Sequence, residues 1–329
     1  MARKILISVD DCAYTPAQRC TFGMWNGLAD LSDYLSYECW LKFVLRNAAF
    51  LLDADIGMLP KSTLLRRTGV GPKLPELAAC EADLIIVTGY FANQGDLELA
   101  FEHLAHFSGK VIIFGLGILE HNGTVESFMR AAKALRAAER DWGTWYCQDA
   151  ATCTLVKNCG FSAQLLGPLP FMLLPRCHFK CAEELVVSEV RGAALNELKT
   201  KLTHQQQYLN FNLAHKVRLL HYPPTPNELQ SALIFEAKRI FNHYLTRAAQ
   251  VITASHEVLY LCLALGIAVR YVPDAITSTA AQCALFTKIA TSSLAHTDAD
   301  GFISADCSEL GLWQRTLLLS LIQGKTRQS

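Results

Sequence analysis

Short apolar runs alternate with amphipathic stretches through the first half of the chain. The apolar runs predict buried strands, and the stretches with apolar residues at helical spacing predict helices. The predicted strands are 4–9, 83–88, 110–114, 144–147 and 163–166, and the predicted helices are 31–49, 97–107, 125–140 and 150–158. Because nearly continuous apolar strands separated by helices are typical of a parallel sheet covered on both faces, we expect an α/β fold.

The second half shows another α/β pattern after a proline-rich break at residues 167–175. Its predicted elements are a mixed stretch at 181–201, a strand at 216–221, a helix at 227–247, a strand–loop–helix–strand unit at 251–271 and a final helix at 310–322. We expect two Rossmann-like domains facing a cleft, a glycosyltransferase-B-like architecture. Residues 1–168 would form the domain on the acceptor side, and residues 176–329 the domain on the donor side. The last helix could also pack back on the first domain.

The strand–loop–helix at residues 251–265 is the first candidate site. Ser255, His256 and Glu257 lie where a predicted strand leads into a helix, and Gly266 follows that helix. Unpaired backbone N–H groups and the helix dipole favour an anion at such a place. A protonated histidine there could bind phosphate or carboxylate, or donate a proton, although it could also be a cap or a surface residue.

Other loops that follow predicted strands hold further candidates. Asp11 and Asp30 could act as base or orient a hydroxyl, with the alternative that Asp30 is a helix N-cap. The sequence Gly115-Leu116-Gly117 has no third glycine and no following Lys-Ser/Thr, so it is a weak phosphate-loop motif. The alternative interpretation is that these glycines let the strand ends pack closely.

Composition narrows the class of protein. Hydrophobic residues make up 51% and charged residues 18%, which indicates large buried cores. The 30 basic and 30 acidic residues give a net charge of zero, so we expect no nucleic-acid partner. The 12 cysteines include no CxxC pair, and we expect reduced, mostly buried thiols and no metal site.

Targeting signals are not apparent in the sequence. The apolar run after the basic N-terminus covers only residues 5–9, whereas a signal-peptide core needs about 7–15 apolar residues. No window reaches the roughly 18 uncharged apolar residues that a membrane span needs. We expect a cytoplasmic protein, with peripheral association at the inner face of a membrane as an alternative.

The order and spacing of several short elements resemble those of the polysaccharide pyruvyl transferase family. The matching elements are Gly23 with Asn26-Gly27 and Asp30-Leu31, residues 83–89, residues 111–117, residues 145–149 with Gly160, Ser255-His256-Glu257, and residues 265–269. The resemblance extends over most of the chain. Gln148 stands where the family has an arginine, and Ser255 stands where it has the arginine of Arg-Leu-His.

This resemblance implies transfer of a pyruvyl group from phosphoenolpyruvate to a sugar hydroxyl in cell-surface glycan biosynthesis, without a cofactor. It implies His256 as acid or phosphate partner, and Asp30 or Asp11 as base or acceptor-orienting group. The substrate-binding candidates are Asn26, Gly27, Gly89, Asn93, Gly115, Gly117, His121, Asp149, Ser255, Glu257, Arg218 and Arg270, of which the two arginines would supply positive charge.

Two alternatives stay open. The segment around Ser255 and Glu257 is also similar to the donor loop of nucleotide-sugar glycosyltransferases, where backbone amides and a small hydroxyl hold phosphate. The other alternative is a catalytically degenerate protein that binds a glycan or a partner. The expected partners of an enzyme would be a small anionic donor, either phosphoenolpyruvate or a nucleotide sugar, and a glycan or lipid-linked saccharide acceptor.

Overall fold

A computed structural model describes much of the chain. The described residues are 3–9, 54–60, 83–91, 101, 104–118, 124–138, 140–172, 184–188, 190, 195–198, 208–211, 247–272, 289–290, 292 and 294–324. The chain divides into two compact units, with described residues up to Leu169 and from Leu318 onward in unit 1 and those from Pro170 to Leu317 in unit 2. Each unit contains a β-sheet, and the fold is mixed α/β.

Unit 1 holds a parallel six-stranded sheet in the order β2-β1-β3-β4-β5-β6. The strands are β1 (Arg3–Val9), β2 (Ala54–Pro60), β3 (Leu84–Phe91), β4 (Lys110–Ile118), β5 (Thr144–Cys147) and β6 (Ser162–Leu165). The predicted parallel sheet is therefore confirmed. The sequence ADIGMLP of β2 lacks a β-branched run and was not predicted, but β2 pairs with β1 along its whole length.

β3 and β4 continue past their predicted ends, so Gly89, Gly115 and Gly117 lie inside strands and not in loops. Gly115 forms a bulge, because Phe114 pairs with Tyr146 and Leu116 pairs with the very next residue of β5. A bulge adds one residue and shifts the alternation of side chains by one position.

The bulge keeps apolar side chains of β4 on one core. Val111 and Ile113 contribute to this core before the bulge, and Leu116 and Ile118 contribute after it. Without the extra residue, the side chains at positions 116 and 118 would point to the opposite face. The same core contains Trp145, which is fully buried.

Two helices of unit 1 lie between its described strands. These are α1 (Thr124–Ala137) and α2 (Ala150–Asn158), and residues 101, 104 and 105 are also helical. α2 has its predicted bounds, whereas α1 ends three residues before the predicted Arg140. The Arg140 guanidinium donates to the carbonyls of Phe107 and Gly109, and the Trp142 indole donates to Leu135 O at 3.1 Å.

Unit 2 holds the second sheet, in the order β11-β12-β10-β9-β7-β8. Its strands are β7 (Glu184–Ser188), β8 (Tyr208–Phe211), β9 (Ala248–Thr253), β10 (Ala268–Tyr271), β11 (Ala295–Thr297) and β12 (Ile303–Ala305). β8, β7, β9 and β10 run parallel, and β11 and β12 add an antiparallel edge. Neither β8 nor the β11–β12 pair was predicted.

Two longer helices follow, α3 (His256–Leu265) and α4 (Ser308–Gln323), and residues 195–198 and 289–290 are also helical. Within unit 2, α4 lies against a short 3-10 helix, because Arg315 Nη1 donates to Met172 O at 2.8 Å. No helix among the residues described has the length and apolar character needed to cross a membrane. The predicted helices at 31–49 and 227–247 and the strand at 216–221 lie outside the described residues.

Candidate functional site

The turn from β9 into α3 is fixed by its own polar groups. Ser255 is the N-cap of α3, and its hydroxyl accepts from the backbone N–H of Val258 at 3.4 Å. The Ser255 N–H donates to the Thr253 hydroxyl at 3.0 Å, and the Thr253 carbonyl accepts from Val272 N–H at 2.8 Å. These bonds hold the start of α3 at the carboxyl ends of β9 and β10, as the sequence predicted.

The end of α3 also follows the prediction. Gly266 is the C-cap, with φ of 70°, and its backbone N–H donates back into the last turn of the helix. A left-handed conformation at this position favours glycine, because a side chain would crowd the backbone. The chain then enters β10, whose last residue is Tyr271.

His256 lies in the first turn of α3 and is only 5% exposed. Its Nε2 is 2.9 Å from the hydroxyl oxygen of Tyr271, its Nδ1 is 3.3 Å from the same oxygen, and the ring centroids are 4.8 Å apart. Burial lowers the pKa of His256 to about 4. The imidazole is therefore neutral at about pH 7, so any positive potential for an anion here comes first from the N–H groups of the helix start.

Arg270 does not join this group. Its Nη1 donates to Asp300 O at 3.3 Å, and its guanidinium carbon lies 5.2 Å from the centroid of the Phe302 ring. Adjacent residues of a strand point to opposite faces of a sheet, and Tyr271 is the one that turns toward α3. In this arrangement Arg270 supports the turn between β11 and β12.

Asp149, another predicted binding residue, is buried at the start of α2. Its Oδ1 accepts from the N–H of Thr152 at 2.7 Å and its Oδ2 accepts from the hydroxyl of Thr152 at 2.8 Å. That hydroxyl in turn accepts from the N–H of Ile118 at 2.9 Å. Both carboxylate oxygens thus cap α2 and connect it to the end of β4.

Gly115 and Gln148 form a second internal connection. Gly115 has φ of +80°, and a Cβ added there would lie 2.6 Å from the Leu169 side chain. Gln148 is buried, and its Nε2 donates to Gly115 O at 2.8 Å. These contacts favour the interpretation that the glycines serve close packing. Gly89 also has a positive φ, of 96°, and Gly117 pairs with Tyr90 in the sheet.

Several candidates lie outside the described residues: Asp11, Asn26, Gly27, Asp30, Asn93, His121 and Arg218. The backbone of Glu257 lies in α3, but its side chain is likewise outside the described part. Within the described residues, the structure brings together Ser255 and His256. Their roles as substrate ligands stay predictions.

Tyr271 is the functional candidate that the sequence reasoning passed over. It ends β10 one residue after Arg270, which was preferred for its charge. A signal was present in the alternation of the strand, since a helix that follows β9 covers only one face of β10. Thr253 was also not among the predicted binding residues. It is fully buried and pairs with Tyr271 in the sheet.

Thiols in the described part of the chain have the character expected of interior residues. Cys147, Cys153 and Cys262 are buried thiols, and Cys159 and Cys307 are partly buried thiols. Burial, with a contribution from Asp306, raises the pKa of Cys307 to about 11. The described residues contain no group of three His, Cys, Asp or Glu side chains placed to hold a metal ion.

No protein-family model matches this chain, and comparison with curated proteins gives no match either. The resemblance to the polysaccharide pyruvyl transferase family therefore stays a prediction.

Proposed function

We propose that this protein is a transferase of cell-surface glycan biosynthesis that moves a pyruvyl group from phosphoenolpyruvate to a sugar hydroxyl. The observation that supports this proposal is the carboxyl edge of β9 and β10. There the capped start of α3 is next to His256, whose imidazole bonds to Tyr271 at 2.9 Å. Anion-binding N–H groups and two proton-exchanging side chains are thereby adjacent.

The winding of the two sheets supports two Rossmann-like domains. Unit 1 has the order β2-β1-β3-β4, and unit 2 repeats this order as β8-β7-β9-β10, all parallel. In such sheets ligands bind outside the carboxyl ends of the strands, near the point where the winding reverses. That point lies between β7 and β9 in unit 2, beside the strand that leads to His256.

Pyruvyl transfer needs an acid for the donor methylene, positive charge for carboxylate and phosphate, and a base for the acceptor hydroxyl. We assign the proton chemistry on the donor side to His256, and Asp30 or Asp11 remains the proposed base or acceptor-orienting group. With Arg270 engaged at Asp300 and Phe302, Arg218 becomes the preferred cation from the sequence.

A nucleotide-sugar glycosyltransferase is the second candidate, and the neutral state of His256 favours it. A nucleoside diphosphate can be held by backbone N–H groups at a helix start without a resident cation. Phosphoenolpyruvate carries a carboxylate in addition to its phosphate and depends more on such cations. If neither donor binds, the remaining alternative is a catalytically degenerate protein that binds a glycan or a partner.

Thermal unfolding with each donor distinguishes these candidates. A ligand of the folded state at about 100 times its Kd stabilises by about 2.7 kcal/mol, which raises Tm by several degrees. Stabilisation by phosphoenolpyruvate alone supports pyruvyl transfer, and stabilisation by a nucleoside mono- or diphosphate supports glycosyl transfer. If inorganic phosphate at the same concentration gives an equal shift, or no donor gives one, the transferase proposal fails.

A further inference from the structure

The hydroxyl of Tyr271 is the hydrogen-bonding partner of His256 in the described part of unit 2. The hydroxyl oxygen is nearer to Nε2, at 2.9 Å, than to Nδ1, at 3.3 Å. His256 is buried, whereas Tyr271 is partly exposed at the end of its strand. Of the two groups, Tyr271 is the one that a ligand at the carboxyl edge of the sheet can reach more readily.

We propose that Tyr271 is a further functional residue of this site, which relays protons between the substrate and Nε2 of His256. This inference rests on the transferase function proposed above. With this assignment Tyr271 contacts the substrate, and His256 accepts protons from Tyr271 and returns them.

The direction of the hydrogen bond follows from the chemistry of the two groups. A neutral imidazole has one N–H donor and one acceptor nitrogen, and a phenol is a better donor than acceptor. Because Nε2 is the nearer nitrogen, we take it as the acceptor, and Nδ1 then carries the ring proton. The imidazole is also flanked by the ring of Tyr260, with centroids 6.2 Å apart, so both described rings around it are uncharged tyrosines.

The transfer must supply one proton to the donor methylene and find a place for the protons of the acceptor. Tyr271 gives its proton to the methylene carbon, the first acceptor oxygen bonds to the carbon that carries the phosphate, and Oη of Tyr271 takes the proton of that hydroxyl. The bond between this carbon and the phosphate oxygen then breaks, its electron pair leaves on the phosphate, and a second acceptor hydroxyl bonds to the carbon. The proton of the second hydroxyl passes through Oη of Tyr271 to Nε2 of His256, and the imidazolium returns it to the released phosphate, a nearby anion favouring the charged form until it does so.

Nitrogen-15 NMR of the full-length protein tests the pair without any need for activity. The spectrum of wild type should show His256 with Nδ1 protonated and Nε2 as a hydrogen-bond acceptor. Tyr271→Phe should move the Nε2 resonance toward that of a free imidazole nitrogen. Tyr260→Phe is the matched control, since it removes the hydroxyl of the other tyrosine whose ring lies beside His256 and should leave the tautomer unchanged.

Turnover then tests the proton-transfer role with whichever donor stabilises the protein. Tyr271→Phe should lower kcat by about a hundredfold or more, because one general acid–base group contributes at least that much, and should leave KM within about threefold. His256→Gln, which keeps a hydrogen-bonding group but cannot titrate, should lower kcat similarly and abolish the acidic limb of the pH profile.

The two proposals fail in different ways. A His256 protonated at Nε2, or one unaffected by Tyr271→Phe, overturns the pair and leaves the transferase standing. An intact pair in a protein that turns over neither donor overturns the transferase and, with it, the role of Tyr271. Normal kcat in Tyr271→Phe overturns the role of Tyr271 alone.

Discussion

The buried imidazole of His256 should make the protein less stable in mild acid. Burial lowers its pKa from 6.5 to about 4, and the unfolded chain restores the ordinary value. Between these values the unfolded state binds more protons than the folded state, so the free energy of unfolding rises with pH. The contribution of neutral His256 to the free energy of unfolding is thus fully present above about pH 6.5 and is lost as the pH falls toward about 4.

The size of the effect follows from the shift in pKa. The shift is from 6.5 to about 4, and each unit corresponds to about 1.36 kcal/mol, which sets a ceiling of about 3 kcal/mol. At about pH 5 the unfolded histidine is almost fully protonated and the folded one is mostly neutral, which corresponds to a loss of about 2 kcal/mol relative to about pH 8.

Hydrogen exchange of the segment from β9 to β10 measures this effect locally, which avoids assuming that the two units unfold together. Wild type and His256→Gln are compared over the same pH series, with exchange corrected for its intrinsic pH dependence. Only wild type should lose the extra 2 kcal/mol or so of protection at about pH 5. Equal pH slopes in the two proteins, or an NMR titration of His256 at about pH 6.5, would refute the reasoning.

Two substitutions in unit 1 test whether its candidate residues serve packing. Thr152→Val should cost about 1–3 kcal/mol, because it removes a buried hydroxyl that bonds both a carboxylate oxygen of Asp149 and a backbone N–H. Thr154→Val on the exposed side of α2 should cost less than about 0.5 kcal/mol, and equal urea midpoints for the two variants would contradict this. Gly115→Ala should lower Tm more than Gly143→Ala, because both positions have positive φ but only the first brings a Cβ within 2.6 Å of another side chain; an equal drop would mean that packing at Gly115 is not tight.

The sheet of unit 1 could be predicted because most of its strands are continuous apolar runs. β5 and α2 have the predicted bounds, since Asp149 and Cys159 mark both ends of α2. The prediction failed where local pattern and tertiary contact disagree. β2 is held by β1 along its whole length despite its weak strand propensity. The glycines of β3 and β4 looked like strand ends, but both strands continue past them, and Gly115 of β4 is a bulge position.

The site could be predicted only in part. The start of α3 was clear, because Ser255 and Gly266 are typical cap residues at the ends of an apolar helix. The neutral state of His256 could not be predicted, because a histidine at a helix start looks exposed in the sequence and its burial depends on tertiary packing. Arg270 was predicted as a site residue because it is charged. The alternation of side chains along β10, however, decides that Tyr271 and not Arg270 turns toward α3.

The two units use the carboxyl edges of their sheets differently. In unit 1, the described edge at β4 and β5 is occupied by internal bonds, since Gln148 holds the carbonyl of Gly115 and Asp149 holds α2. In unit 2, Thr253 pairs with both Ser188 of β7 and Tyr271 of β10, so the His256–Tyr271 pair lies one strand away from the reversal of the winding. For the doubly wound sheets proposed above, ligands bind beside the reversal of the winding, so the proposed donor chemistry is better matched to this edge of unit 2 than to the edge at β4 and β5 of unit 1.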